Sequence, residues 1–271
     1  MNDRESTGFQ REVARNLTEH IGEAGFALAG SGAVREHGFI NRPTEDIDLF
    51  TVMSQRPNFI LAVNEAKQHL EHLGYDVEID ESRPPSDTYA KLKVSRDGDE
   101  TEVDMCMDWR AHNPVWLEGV GWVLDVEDAV ANKITAVISR GEIRDYLDAL
   151  SIRESKRFSD TELYRIAKEH DETFSPELFA ESLSMMTRLP DWRFDAYVTR
   201  KELKELREQA EAWMESIRKD GKESQSSKRT SEMQEDRQTS HRGDVFVNGY
   251  TKADGTQVAA HWRSRPDRSR I

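Results

Sequence analysis

Two aspartates, Asp46 and Asp48, stand two positions apart in the segment DIDLF. Their alternation with Ile47 and Leu49 predicts a β-strand that has one apolar face, so both carboxylates would project from the opposite face. Carboxylate oxygens are the ligands that Mg²⁺ prefers, and two of them on one rigid edge could bind the ion. An ordinary solvated strand end would show the same pattern, so the pair alone does not identify a metal site.

Residues before and after this pair strengthen the metal-site hypothesis. A short apolar strand over residues 26–29 leads into Gly30 and Ser31. A turn between a strand and a helix presents backbone N–H groups to phosphate, and glycine permits close backbone approach. Asp104, on a predicted neighbouring strand, is the best candidate for a third carboxylate. Carboxylates that hold two metal ions beside a triphosphate are typical of nucleotidyl transfer, in which the metals clamp the attacking and leaving oxygens.

The elements that must position these residues can be predicted from hydrophobic periodicity and from turn residues. Gly30-Ser31-Gly32 is predicted as a turn, and Asp97-Gly98 as the turn of a hairpin. We expect helices over 5–24, 33–37, 59–73 and, repeatedly, from 125 onward, and strands over 26–29, 46–52, 75–79, 89–95 and 100–108. The fold class is therefore α+β, with a mixed sheet and helices first and an all-helical part after it.

Three parts of the chain follow from this order. We expect a catalytic domain over 1–124, a helical domain over 125–220 that completes the active site, and a disordered linker with a basic tail over 221–271. Residues 218–271 carry 12 Lys+Arg and 8 Asp+Glu, whereas residues 1–217 carry 26 and 44. Residues 1–217 are therefore acidic, and residues 218–271 are basic.

Composition excludes several classes of protein. Hydrophobic residues make up 36% and charged residues 33%, a polar but globular mixture. No apolar run is long enough for a membrane span, and the N-terminal residues lack the apolar stretch of a secretion signal. Cys106 is the only cysteine, which excludes an internal disulfide and a cysteine zinc site. We expect a cytoplasmic protein without a membrane partner.

Four segments in order resemble the AbiEii/AbiGii (MenT-like) nucleotidyltransferase toxins of the polymerase-β-type superfamily. They are Gly30-Ser31 with Arg42 and DIDLF, Lys91-Leu92, DAVANKITA at 128–136, and RGEIRDYLD at 140–148. The last two fit the patterns D-x4-K-x2-A and R-x3-[KR]-D-x2-D. The resemblance covers about residues 20–155. One departure is the 14 residues between Ser31 and Asp46, which imply a longer loop over the site.

The resemblance implies roles for the residues of the helical motifs. Lys133 would reach the triphosphate and offset its negative charge. Asp145 and Asp148 lie three apart on one helical face, and one of them could act as a base toward the acceptor hydroxyl or could orient Lys133 or an arginine. The alternatives are a surface lysine and a solvated acidic stripe.

The remaining cations are open to the same two interpretations. Arg140 and Arg144 could bind phosphate or pair with Asp148, and Lys91 could bind phosphate or serve as surface charge. The predicted nucleotide-binding set is Gly30, Ser31, Lys91, Lys133, Arg140 and Arg144. The predicted metal ligands are Asp46, Asp48 and Asp104.

The expected function is metal-dependent transfer of a nucleoside monophosphate from an NTP, with Mg²⁺ or alternatively Mn²⁺ as the cofactor. The resemblance implies the 3′ end of tRNA as the acceptor and a cognate antitoxin as a partner. Two alternatives stay open: adenylylation of a small cationic molecule such as an aminoglycoside, for which an acidic cleft is suited, and a non-catalytic nucleotide-binding regulatory module.

Overall fold

The computed structural model describes residues 3–44, 46–80, 82–240, 244–247, 250–251, 257–258 and 261–264, with most side chains from residue 8 to residue 221. Residues Met1–Met214 form one compact unit, and Glu215–Ile271 form a second. The first unit contains a large β-sheet and most of the described helices.

A seven-stranded mixed sheet lies at the centre of the first unit. Its strands are β1 Ala27–Leu28, β2 Asp46–Thr51, β3 Asp76–Ile79, β4 Tyr89–Arg96, β5 Asp99–Met107, β6 Val115–Leu117 and β7 Gly121–Val123. Their order across the sheet is β3-β4-β5-β2-β1-β7-β6. β2 pairs with β5 and β1 pairs with β7 in parallel, and the other neighbours are antiparallel. The predicted α+β class with a mixed sheet is confirmed.

The described residues form eight α-helices and three short 3-10 helices. The α-helices are α1 Asp3–Ile21, α2 Gly30–Glu36, α3 Phe59–His72, α4 Val126–Ser139, α5 Ile143–Glu154, α6 Asp160–His170, α7 Pro176–Arg188 and α8 Arg200–Ser240. The 3-10 helices are Gly22–Ala24, Met53–Asn58 and Asp191–Arg193. α1 contacts α3 and the sheet, whereas α4 contacts α2, α5, α6 and α7.

Strands β2 and β5 are held in one register by their apolar residues. Ile47 and Leu49 of β2, and Val103 and Met105 of β5, are 2% exposed or less. A shift of one residue would turn these side chains to the opposite face, so burial specifies the pairing strongly. The alternate positions, which carry the aspartates, consequently project from the other face of the sheet.

One local prediction differs from the structure, and one hairpin of the structure had not been predicted. Gly30-Ser31-Gly32 is not a separate turn but the first turn of α2, which begins directly after β1. The hairpin of β6 and β7 was not predicted, because strands of three residues are too short to show a period in the sequence. The predicted boundary near residue 124 falls inside the first compact unit, where the chain changes from sheet to helices.

The predicted disordered linker also differs from the structure, since α8 runs without interruption from Arg200 to Ser240. Residues 221–240 contain Glu, Lys, Gln and Arg and no proline, so they can extend a helix that has already been nucleated. The tail then forms two antiparallel strand pairs, β8 Asp244–Val247 with β11 His261–Ser264 and β9 Tyr250–Thr251 with β10 Gln257–Val258. The other predicted tail residues lie outside the described residues.

We expect the first unit to fold without residues 221–271. The last buried side chain among those described is Ile217, and Trp213 is fully buried. A chain ending at residue 220 should therefore melt within about 3 °C of the full chain, as for other changes away from a core.

A chain ending at residue 209 is the matched control. It lacks Trp213, a fully buried side chain of the first unit, and loss of such a core side chain costs about 3–5 kcal/mol. Calorimetric melting should show a large loss of Tm for this chain alone. Equal losses for both truncations would show that the first unit depends on the tail.

Candidate active site

Three carboxylates meet on the polar face of the sheet. One ligand atom each from Asp46, Asp48 and Asp104 lies within 4.8 Å of the others. Asp48 and Asp104 stand opposite each other in the parallel pairing of β2 with β5. Tyr89 Oη donates a hydrogen bond of 2.6 Å to Asp104 Oδ1, and Lys91 Nζ lies 3.2 Å from Asp104 Oδ2. The structure thus brings the three predicted metal ligands together and orients one of them from β4.

The cluster concentrates negative charge in a partly dehydrated place. Burial and then the neighbouring charge of Asp46 raise the pKa of Asp48 to about 6, although Lys133 acts in the opposite direction. A divalent cation would relieve this repulsion. Three carboxylates on two adjacent strands are also the oxygen donors that a hard cation such as Mg²⁺ or Mn²⁺ takes, so the residues fit the metal.

Gly30 lies so close to the cluster that a side chain at this position would collide with Asp48. A Cβ atom on Gly30 would stand 1.7 Å from Asp48 Oδ2. Gly30 also has a φ of +54°, which L-residues with a side chain rarely adopt. The first turn of α2 can therefore approach Asp48 only because residue 30 is glycine.

A buried network around Asp148 joins four segments of the chain. Ser31 Oγ donates to Asp148 Oδ2 at 3.0 Å and accepts from Lys133 Nζ at 2.8 Å and from Arg42 Nη2 at 2.9 Å. Arg42 also binds both oxygens of Asp148, at 2.9 and 2.7 Å, and Lys133 Nζ lies 3.0 Å from Asp148 Oδ2. Asp148 is fully buried, and Lys133 is 3% exposed. Charge-assisted hydrogen bonds thus fix the position of Lys133.

Asp145 fixes the position of Arg140 in the same way. Arg140 Nε and Nη2 donate to the two oxygens of Asp145, both at 2.8 Å, and Lys133 Nζ lies 3.7 Å away. Burial alone would raise the pKa of Asp145, but the hydrogen bonds from Arg140 and the charges of Arg140 and Lys133 hold it below its ordinary value. A buried, paired carboxylate with a lowered pKa is a poor base. The contacts of Asp145 and Asp148 therefore support the orienting alternative.

The other predicted cations have different surroundings. Arg140 pairs with Asp145, so the suggested pairing with Asp148 belongs to Arg42 instead. Lys91 Nζ donates to Glu102 at 2.7 Å and lies near Asp104. Arg144 Nη2 donates to Glu142 at 3.0 Å, and Arg144 is not one of the residues that line the cleft described below.

Asp128, the first residue of the D-x4-K-x2-A motif, holds a loop in place through hydrogen bonds. It is 3% exposed and accepts hydrogen bonds from the backbone N–H groups of Ala111 and His112, at 2.8 and 2.9 Å. The carboxylate thereby attaches the loop after β5 to the first turn of α4.

A cleft of about 400 Å³ opens beside the cluster. It is lined by Gly30, Asp48, Phe50, Asp108, Asn132, Lys133, Thr135, Ala136, Ser139, Arg140, His170 and Asp171. Sequence reasoning did not identify Tyr89, Asn132 or His170. Tyr89 could have been found, since it alternates with Lys91 on one strand face, but no sequence signal places Asn132 and His170 in one cleft.

The family model described as "Nucleotidyl transferase AbiEii toxin, Type IV TA system" matches residues 13–200. The chain belongs to this family. As an AbiEii nucleotidyltransferase it carries its carboxylates, Lys133 and Arg140 within the matched region. A comparison with curated proteins finds no match.

Solved structures were also compared with this AbiEii chain. JHP933 from Helicobacter pylori is 17% identical, with 83% of this chain and 98% of that chain covered and a TM-score of 0.49. A second H. pylori protein, described as a candidate nucleotidyltransferase, is 15% identical, with 78% and 95% covered and a TM-score of 0.46. None of the described helices combines the length and apolar character that a membrane span requires.

Gly30→Ala tests how closely α2 approaches Asp48, and Gly38→Ala is its control. Gly38 has a φ of +78°, and nothing lies within 4 Å of the point where an added Cβ atom would stand, so Gly38→Ala should cost only the conformational term, about 1 kcal/mol. Gly30→Ala adds the collision with Asp48 and should cost about 1–3 kcal/mol more. Urea unfolding measures both. Equal costs would show that the approach of α2 to Asp48 is not tight.

The stability of the metal-free protein should depend on pH through Asp48. The pKa of Asp48 in the folded protein, about 6, lies above its ordinary value of 3.8, so the folded state holds this proton more tightly than the unfolded state. The free energy of unfolding should therefore fall as pH rises from 4 to 6. Asp48→Asn lacks this loss and should be about 1–3 kcal/mol more stable than wild type at pH 8 in EDTA.

This advantage of Asp48→Asn should shrink as pH falls and should disappear near pH 3, below the ordinary pKa of 3.8, because wild-type Asp48 is then largely protonated in both states. Unfolding in urea at about pH 3 and about pH 8 measures the difference directly. An Asn variant that is less stable than wild type at pH 8 would contradict the assigned repulsion.

Proposed function

We propose that this AbiEii protein transfers a nucleoside monophosphate from an NTP to the 3′ end of tRNA, with Mg²⁺ or Mn²⁺ as its cofactor. The observation that carries the proposal is the convergence of Asp46, Asp48 and Asp104 within 4.8 Å beside a cleft that Lys133 and Arg140 also line. Negative ligands for a cation and fixed cations for phosphate are the two requirements of phosphoryl-type transfer.

Each side chain has a defined task in this proposal. Asp46, Asp48 and Asp104 would hold the metal, which when bound neutralises charge on the phosphates and favours deprotonation of the acceptor hydroxyl. Lys133 and Arg140 face the triphosphate from α4 and its C-terminal end. Gly30 lets the phosphates approach the backbone at the start of α2.

Lys133 and Arg140 are held in place before substrate arrives. Each is bound to a buried carboxylate, Asp148 or Asp145, so neither side chain has to be ordered when a phosphate binds. Preorganised charges of this kind stabilise a developing negative charge without a reorganisation cost. Asp145 and Asp148 are accordingly positioning residues in this proposal.

The acceptor is proposed from the family and not from a surface of this chain. Type IV toxin-antitoxin membership supports an antitoxin partner, and the resemblance supports tRNA. Residues 1–217 carry a net charge of −18, so tRNA binding must use a local group of cations or residues 218–271, whose net charge is +4. Because NTPs and tRNA are cytoplasmic substrates, we place the reaction in the cytoplasm.

Incubation of the purified protein with each α-labelled NTP, Mg²⁺ and total tRNA tests the proposal. Label should appear on tRNA and should be lost when EDTA is added. Asp48→Ala should reduce the rate of transfer by at least about 100-fold, as expected for loss of a metal ligand. Asp195→Ala, an exposed aspartate outside the cleft, is the matched control and should retain activity.

A folded wild-type protein that labels no RNA with any NTP would overturn the tRNA proposal. If NTP and Mg²⁺ also failed to raise its Tm, the non-catalytic alternative would be favoured.

A second candidate acceptor is a cationic small molecule. A groove of about 520 Å³ on the β3-β4-β5 face is lined by Asp76, Glu78, Glu100 and Glu102 together with Lys93. An acidic groove attracts a polycation. Labelling of an aminoglycoside and not of tRNA, in the same assay, would favour this acceptor.

A further inference from the structure

Both oxygens of Asp104 already have partners on the neighbouring strand β4. Tyr89 Oη donates to Oδ1 at 2.6 Å, and Lys91 Nζ lies 3.2 Å from Oδ2. Lys91 and Asp104 are also register partners in the antiparallel pairing of β4 with β5, so the sheet itself sets these contacts. One carboxylate of the cluster is therefore held by a neutral hydroxyl and by a positive charge.

Tyr89 is fixed well enough to orient Asp104. Its backbone N–H donates to Ser86 Oγ at 3.0 Å, and its carbonyl oxygen accepts from the Ser86 N–H at 2.8 Å. The side chain is half-buried. A hydroxyl hydrogen occupies one lone pair of a carboxylate oxygen and leaves the others free. Tyr89 can thus hold the Asp104 carboxylate in one orientation without preventing it from binding a cation.

Lys91 acts on Asp104 through its charge. An ammonium group beside a carboxylate offsets the negative charge that would otherwise attract a divalent cation, and it repels that cation. Lys91 Nζ also donates to Glu102 Oε2 at 2.7 Å. Glu102 and Asp104 are alternate residues of β5 and share one face of the strand. Lys91 therefore keeps a carboxylate partner when its contact with Asp104 is given up.

We propose that Tyr89 and Lys91 are positioning residues that set the metal affinity of the cluster in opposite directions. Tyr89 holds Asp104 in the orientation that binds a divalent cation, and Lys91 is the counter-charge of Asp104 while the cluster is metal-free. This inference rests on the proposed use of Mg²⁺ or Mn²⁺. It assigns Lys91 to Asp104 and leaves the triphosphate to Lys133 and Arg140.

Titration of the full chain with Mn²⁺ in the absence of nucleotide tests the inference, with free Mn²⁺ measured by electron paramagnetic resonance. Asp48→Ala should remove the tight binding, which identifies the cluster as its site. Tyr89→Phe should weaken Mn²⁺ binding by about tenfold, as for other groups that orient a metal ligand. Lys91→Met should strengthen it by about tenfold, because a nearby charge that repels the ion is removed.

Two variants are matched controls for these substitutions. Tyr75→Phe also removes a hydroxyl that donates to a carboxylate, Glu12 Oε1 at 2.7 Å, but outside the cluster. Lys67→Met removes an equal charge from α3. Both should keep the Mn²⁺ affinity within about twofold of wild type, since a remote charge is screened by salt.

The melting temperature distinguishes these roles from a structural one. In EDTA, Lys91→Met should melt below wild type, because Asp104 has lost its counter-charge. Mn²⁺ should then raise the Tm of Lys91→Met by more, and that of Tyr89→Phe by less, than it raises the Tm of wild type. Variants that lose the same Tm with and without Mn²⁺ would show a purely structural role and would contradict the inference.

Unchanged Mn²⁺ affinity in Tyr89→Phe, or unchanged or weaker affinity in Lys91→Met, would overturn the inference. A wild-type chain that binds Mn²⁺ no more tightly than Asp48→Ala would overturn both this inference and the proposed metal-dependent function. Affinities that change as predicted, in a protein that transfers no nucleotide, would overturn only the transfer and would support the assigned roles of Tyr89 and Lys91.

Discussion

Carboxylates that are brought together away from water repel one another unless cations are supplied, and this constraint organises the active site. Asp145 and Asp148 are fully buried, and Arg140, Lys133 and Arg42 supply the positive charges that pair with them. Breaking one partner of such a buried pair is strongly destabilising, by about 3–5 kcal/mol, since a charge is left uncompensated. The helical side of the site is thus neutralised by the protein itself.

The sheet side is not neutralised in this way. Burial and the charges of Asp46 and Asp104 raise the pKa of Asp48 to about 6, because they outweigh the opposing charges of Lys133 and Arg140. The two sides of the site therefore differ in charge. Lys133 and Arg140 pair with carboxylates of α5 and line the cleft. The carboxylates of β2 and β5 can instead bind a cation from solution. The ion pairs of Lys133 and the hydrogen bonds of Ser31 join α2, α4 and α5, and the sheet and the first helices after residue 124 form one compact unit.

Much of this arrangement could be predicted from local pattern. The alternation of Ile47 and Leu49 with the aspartates implied which face each side chain takes, and Asp97-Gly98 implied the hairpin that brings Asp104 beside them. Two partners of Asp148 could not be predicted, because Arg42 and Ser31 come from segments more than 100 residues away. Asn132 and His170 lie on different helices, and only tertiary packing brings them to one cleft. Residues 221–240 were misjudged because composition reports what a segment can bury and not whether a preceding helix continues into it.

The central claim is that the three sheet carboxylates form a divalent metal site next to the nucleotide cleft. The most direct measurement is anomalous X-ray scattering from crystals soaked with Mn²⁺ and a non-hydrolysable NTP analogue. The account predicts a manganese peak among Asp46, Asp48 and Asp104, with the triphosphate toward Lys133 and Arg140. A nucleotide bound with no manganese at these carboxylates, or a manganese peak elsewhere on the chain only, would contradict it.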